Sequence, residues 1–451
     1  MDSAAHILSQ IAGWVWGPFM LLLIMGVGIY LTVRTRFLAW RKLPYALSLV
    51  FGKEAHKKEK GAGEVSSFGS LATALAATIG TGNIAGVATA MVLGGPGALV
   101  WMWLSALFGL TTKFSECMLA VKYREITSTG EIRGGPMYVM KHAFRNKKAG
   151  MFAGFVFSFF TVCASFGMGN MTQANSISNA LKSSFGIDYR ITGLVVMVLT
   201  FLVILGGIRS IAKVAEVVVP VMAGFYMLGA LVVILFHFRD IPAGLYEIFS
   251  QAAAIRPVAG GVAGFTITNA LQWGVARGVF SNEAGLGSAA ISASAAVTDE
   301  PVRQGYINMT GTFIDTIVVC TITGLAIACS GVLGVSDATG TALTIEAFET
   351  ALGSLGGYVI SISIALFGFA TIIGWEYYGE KAFEFLTGGN DYVISYRIVY
   401  AAMSFMGAVM SLGIVWSFSD IMNGLMALPN LLTLLLLRKE IINDMTKYHN
   451  G

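Results

Sequence analysis

The segment Ala76-Ala77-Thr78-Ile79-Gly80-Thr81-Gly82-Asn83 sets helix-disfavouring residues in the middle of an apolar run long enough to cross a bilayer. Gly80 and Gly82 oppose a continuous helix, while Thr78, Thr81 and Asn83 carry side-chain oxygens to a depth where uncovered polar groups are costly. Irregular backbone survives at membrane depth only where it lines a cavity or is covered by protein. A break here frees the N–H groups from Gly80 to Asn83, which suit a carboxylate. It also frees the carbonyls of Ala76 and Ile79, hard oxygen donors that suit a cation. A packing kink built from small residues is the plainer alternative.

Composition agrees with a membrane setting. The chain has 451 residues, 55% of them hydrophobic and 12% charged, against a usual charged share of about 25%. That excludes a soluble domain and predicts an all-α polytopic membrane protein. Glycine, at 54 residues, fits close helix packing and helix breaks. Cys117, Cys163, Cys320 and Cys329 fall inside apolar segments, which argues against a disulfide framework. His6, His56, His142, His237 and His449 are scattered at or beyond segment ends, so no metal cluster is readable. The net charge of +4 sits in loops and does not point to nucleic acid. Met1 to Gly13 lacks the basic start of a cleavable signal, and the run Ile11 to Val33 is long enough to span.

At about 20 apolar residues per span, eleven transmembrane helices are predicted, near 12–33, 66–93, 98–122, 151–181, 191–207, 213–236, 262–280, 304–330, 355–380, 393–411 and 416–437. Lys and Arg concentrate in 34–60 and 122–148, while the opposite side shows only Lys182, Arg190, Arg239 and Arg256. The positive-inside rule therefore puts the N-terminus outside and the C-terminus in the cytoplasm. Residues 1–65 form a peripheral first helix and a basic cytoplasmic loop. Two five-helix halves follow, at 66–236 and 262–437, joined by an extracellular connection at 237–261 and ended by a tail at 438–451. An odd number of spans per half inverts the second relative to the first, and interrupted helices at corresponding positions then mark a transporter's site. The partner interruption is expected in 268–278, where Gln272, Trp273 and Gly274 join a glycine-rich polar stretch. Trp273 can close over a ligand there or simply face lipid.

Other polar groups lie within the predicted spans. Gly167 and Asn170 share a helical face, with Gln173 at its edge. They can leave room for and hydrogen-bond a ligand, or glue helices together. Thr371 puts one hydroxyl in the ninth span, where it can complete a sodium shell or bond its own helix. Asp315, well inside the eighth span, needs a partner or a proton, since a charge there costs about 2.5–3.5 kcal/mol on insertion scales. Glu116, Glu216 and Glu376 lie nearer the basic side and read as structural.

The run from Gly94 to Gly109, beginning Gly94-Gly95-Pro96-Gly97-Ala98-Leu99, resembles the signature of the sodium:alanine (alanine or glycine:cation) symporter family. Gly134-Gly135-Pro136-Met137-Tyr138, the stretch from Gly278 to Ser288, and Pro301-Val302-Arg303-Gln304-Gly305 extend the likeness over nearly the whole chain. It departs at Val100, Ala290, Ala293 and Ala370, where Phe, Pro, His and a hydroxyl residue are usual. The resemblance implies a leucine-transporter-like (LeuT-like) fold of the amino acid-polyamine-organocation type, a 5+5 inverted repeat with one extra N-terminal helix. It further implies carbonyls of Ala76, Ile79 and Phe367 and the hydroxyl of Thr371 around Na⁺. Thr78, Gly80, Thr81 and Gly82 would hold substrate, and Trp273 would cover it.

The expected function is sodium-coupled import of small neutral amino acids, alanine and glycine, by alternating access across the cell membrane. The candidate substrate residues are Thr78, Ile79, Gly80, Thr81, Gly82, Asn83, Gly167, Asn170, Gln173, Gln272, Trp273 and Gly274. Na⁺ is the expected co-transported ion, with no organic cofactor and with membrane lipid as the surrounding partner. A proton-coupled transporter of the same fold or an ion channel are the rivals. An enzyme is not expected, because no Ser/His or paired-Asp arrangement lies at membrane depth.

Overall fold

The structure is a computed structural model and describes residues 2–52, 60–128, 130–253, 267–411 and 413–450. His56, Arg256, the last part of the predicted connection and the first residues of the predicted seventh span lie outside the described residues. Of the predicted spans, seven are long apolar helices: His6–Arg34, Ala98–Lys122, Lys147–Phe185, Gly207–Phe236, Pro301–Ser330, Leu355–Thr387 and Gly413–Leu436. Tyr189–Ile204 and Val393–Val409 are shorter apolar helices at two further predicted positions. Ser67–Thr78 and Thr81–Gly94 make one span bent by 59° at its break. The segment at the seventh position also divides, into Ile267–Asn282 and Ser288–Ser294.

Glycine sets how the core helices approach. A Cβ at Gly374 would stand 2.8 Å from the backbone nitrogen of Ala77, so the long Leu355–Thr387 helix lies directly against Ser67–Thr78. Any larger side chain there would push the two apart. Both the fourth and the eighth predicted spans contain a π-helical stretch, Gly167–Met171 and Phe313–Cys320. Such turns are rare in helices and frequent at functional sites, because they rotate the side chains that follow.

The basic loops share one face of the molecule. There Lys122 binds Glu440 and Asp444 at 2.6 and 2.5 Å, and Tyr123 reaches Glu440 at 2.8 Å, which ties the terminal helix Arg438–Asn450 to the end of Ala98–Lys122. On the same face Val65 pairs with Ala296, so the approach to the first broken span runs beside the exit from the second. Arg124 fastens that crossing by donating to the carbonyls of Ala62, Ser294, Ala296 and Thr298 at 2.6–2.8 Å.

Candidate functional site

The first break forms as its residues require. Thr78 bonds its hydroxyl back to Ala74 O at 3.0 Å, and the last ladder bond is Ile79 N to Leu75 O at 2.8 Å. Ile79 and Gly80 are then extended, at ψ 94° and −157°, before a single 3₁₀ turn at Thr81–Asn83. In an unbroken helix Gly80 N would bond Ala76 O, but it donates instead to Asn83 Oδ1 at 2.9 Å. The Ala76 carbonyl is thereby released from that bond. Among the described residues the amides of Thr81 and Gly82 donate to nothing. The amides left free for a ligand are therefore those two, not the whole run from Gly80 to Asn83, because Asn83 satisfies Gly80 and its own N–H goes to Gly80 O at 3.2 Å.

A buried acid holds this loop. Asn83 Nδ2 donates to Asp315 Oδ1 at 2.7 Å, and Asp315 also accepts Ser281 at 2.9 Å and Thr316 at 2.7 Å. All four side chains are buried. Three donors around one carboxylate are what a charge at this depth needs. The role left open for Asp315 is thus filled in part: it positions Asn83, which positions Gly80. Asp315 lies within the π-helical stretch Phe313–Cys320.

On the other side of the loop stand Gln173 and Thr371. Gln173 Nε2 bonds Met168 O at 3.2 Å, and its Oε1 accepts the Thr81 hydroxyl at 3.1 Å. A Cβ at Gly80 would lie 2.6 Å from Thr371 Oγ1, so the Thr371 hydroxyl faces the break itself. That hydroxyl donates to Phe367 O at 3.0 Å, which sets the two oxygens side by side and leaves the Thr371 lone pairs toward Gly80. Ala370, where a second hydroxyl is usual, is fully buried and supplies none.

Five predicted residues are not brought to the break. A Cβ at Gly167 would strike the Ser419 hydroxyl, so this glycine serves the packing of Lys147–Phe166 on Gly413–Leu436. Asn170 donates to Tyr400 O at 2.6 Å, pointing at the neighbouring helix Val393–Val409. Gly274 lies against the backbone of Ala98. Gln272 and Trp273 line a cavity of about 300 Å³ on the face away from the basic loops, together with Trp16, Arg277 and Asp420. Phe280 also lines that cavity and comes within 3.5 Å of where a Gly82 Cβ would be, so its ring stands between the cavity and the break.

The partner interruption is displaced as well. Ile267–Asn282 runs helically through 268–278, because Gly274 and Gly278 serve close approach to Ala98–Lys122 rather than a break. The chain opens at 283–287, where Glu283, Gly285 and Gly287 have φ of 57°, 99° and 84°. Left-handed backbone is what glycine tolerates and a glutamate resists, so the strain at Glu283 is held in place by the packing around it. Gly285 N and Asn430 Nδ2 donate to Glu116 Oε1 at 3.0 and 2.6 Å, and Ser288 donates to Glu283 at 2.5 Å. Glu116 therefore sits buried at the second break, not near loop water. Phe280, Ser281, Asn282 and Glu283 escaped the sequence reading as site residues. Their signal was Gly285-Leu286-Gly287 after a polar Ser281-Asn282-Glu283, a better break than 268–278.

The comparisons with known proteins agree on one lineage. The model of the sodium:alanine symporter family matches residues 1–451. The sodium/alanine symporter AgcS of Methanococcus maripaludis is 48% identical over 447 residues, covering 98% of this chain and 97% of that protein. The probable sodium/glutamine symporter GlnT of Bacillus subtilis is 36% identical, covering 98% and 90%. Among solved structures, that of MhsT in complex with L-phenylalanine aligns with TM-score 0.53 at 16% identity, covering 87% of this chain and 99% of that one. The fold is thus leucine-transporter-like, a 5+5 inverted repeat preceded by one extra helix.

Proposed function

The chain belongs to the sodium:alanine symporter family, and from that premise we propose that the break at Ile79–Gly82 binds Na⁺ and a small amino acid side by side. It is a multi-pass membrane protein that performs sodium-coupled amino acid symport. In our reading Na⁺ lies on the carbonyls of Ala76, Ile79 and Phe367 and the hydroxyl of Thr371. The substrate carboxylate takes the amides of Thr81 and Gly82, with Thr78, Gly80 and Gln173 around it. Asn83 shapes the loop. Alanine and glycine are the proposed substrates, and Phe280 is the proposed cover in place of Trp273.

The observation that carries this reading is the pairing of freed groups at one loop. The amides of Thr81 and Gly82, without acceptors among the described residues, lie in the same break as the released Ala76 carbonyl and beside a hydroxyl aimed at Gly80. A zwitterion and a cation entering such a loop each find an opposite partial charge, which offsets the loss of their water. If both favour the same closed state, each raises the other's affinity.

Directionality follows from orientation. We place the N-terminus outside and the tail in the cytoplasm of a plasma membrane, since the Lys- and Arg-rich loops share one face. The halves 66–236 and 262–437 then rock about the two breaks. Uptake of labelled alanine into vesicles carrying the protein tests the whole reading. We expect saturable uptake that needs an inward Na⁺ gradient and is competed by glycine. Equal uptake with K⁺ replacing Na⁺ under a proton gradient would contradict it.

A further inference from the structure

On the basic face, a cavity of about 740 Å³ opens between the end of Pro18–Arg34 and the terminal helix Arg438–Asn450. Its lining carries Arg34, Arg36 and Lys447 with the polar side chains of Asn443 and Thr446, and no acid. Among the described residues none of the three cations pairs with a carboxylate. Glu440 and Asp444, the acids of the terminal helix nearest Lys447, are both engaged by Lys122 at 2.6 and 2.5 Å, and neither lines the cavity.

Arg36 adds a backbone observation. It has φ 55°, and Phe37 follows at 57°, in a left-handed turn that ends the helix through Arg36 N to Val33 O at 2.9 Å and Phe37 N to Thr32 O at 2.8 Å. Glycine is the unstrained residue for such a helix end. An arginine there costs roughly 1 kcal/mol, and what it brings is a guanidinium at the cavity mouth.

An exposed apolar stripe on the helix that ends at Arg34 completes the picture. Leu22, Ile29 and Val33 follow one another on one face of Pro18–Arg34, at 70, 40 and 52% exposed. From Leu22 to Val33 that stripe is roughly 16 Å long at 1.5 Å per residue, about half the ~30 Å hydrocarbon core. An apolar strip one leaflet deep, on the helix whose end supplies Arg34 and leads into Arg36, with Lys447 across the cavity and none of the three paired among the described residues, matches one molecule with acyl chains and an anionic head. We propose that this cavity binds the phosphate headgroup of an anionic phospholipid from the leaflet on the basic side. Arg34 and Arg36 clasp the phosphate, Lys447 adds charge, and the chains lie along Leu22 to Val33. The site is separate from the transport site and does not depend on the function proposed above.

Native mass spectrometry of the purified protein, titrated with phosphatidylglycerol or phosphatidylcholine, tests this. Each Lys or Arg near an anionic surface contributes about 1 kcal/mol, so Arg36→Gly should weaken the tightest phosphatidylglycerol adduct about fivefold. Adding Arg34→Gln should weaken it on the order of thirtyfold, with phosphatidylcholine adducts unchanged. Arg36→Gly suits its left-handed backbone, so folding is kept and loss of lipid reports the site. Equal phosphatidylglycerol affinity in wild type and the double variant would overturn the proposal. So would equal retention of phosphatidylcholine by the wild type, or displacement of the lipid by millimolar inorganic phosphate, which would make the ligand a free anion.

Discussion

Asn83→Ala is expected to lower sodium-driven alanine uptake at least a hundredfold while the protein still elutes as a monodisperse species. The substitution deletes the amide that caps Gly80 N at 2.9 Å and the donor that meets Asp315 at 2.7 Å. A hydrogen bond to a charged group contributes about 1.5–3 kcal/mol, and removing one partner strands the other in a buried site. Ser281 and Thr316 remain on Asp315, so the acid keeps enough support for the bundle to fold. The loop loses its shape instead. Gly80 N becomes free to bond Ala76 O and rewind the helix, which closes the gap where Na⁺ and substrate are proposed to sit. Uptake normalised to protein in the membrane, with size-exclusion chromatography alongside, checks this. Activity within threefold of wild type would show that the Asn83 bridge does not matter.

The second large effect is expected at Thr371. Thr371→Val keeps the side chain's shape and deletes its hydroxyl, and no neighbouring hydroxyl can substitute because position 370 is alanine. At about 1.5–3 kcal/mol for a polar ligand on a charge, the Na⁺ concentration for half-maximal uptake should rise ten- to a hundredfold. Thr371→Ser should restore it. The alanine concentration dependence at saturating Na⁺ should change little, since the hydroxyl is proposed to serve the cation. A variant with unchanged Na⁺ dependence would move the ion elsewhere.

Much of this arrangement was legible in the sequence, and the misses share a cause. Gly80 and Gly82 in an apolar run signalled a break because polar side chains accompanied them, and the chain does open there. Thr371 was found as a lone hydroxyl at membrane depth, and Gln173 as the edge of the face shared by Gly167 and Asn170; both stand beside the break. The same reasoning failed at 268–278. A glycine in a membrane helix serves close packing as readily as a break, and Gly274 and Gly278 face Ala98 and Ser105 of the adjacent helix. Which use applies depends on the neighbour, and a single sequence does not name neighbours. Gly167 and Asn170 failed likewise, since the face they share looks to Gly413–Leu436 and Val393–Val409. The π-helical stretches at Gly167–Met171 and Phe313–Cys320 shift the faces that a regular helical period predicts, so no such period could assign Asn170 or Asp315 its partner.

In the proposed function, coupling rests on Na⁺ and the amino acid occupying adjacent parts of one loop. The direct test is calorimetric titration of the purified protein with alanine at several Na⁺ concentrations, and with Na⁺ at several alanine concentrations. Adjacent occupation predicts that each ligand tightens the other by the same factor, and that Thr371→Val shrinks that factor. An alanine affinity independent of Na⁺ would contradict the shared site.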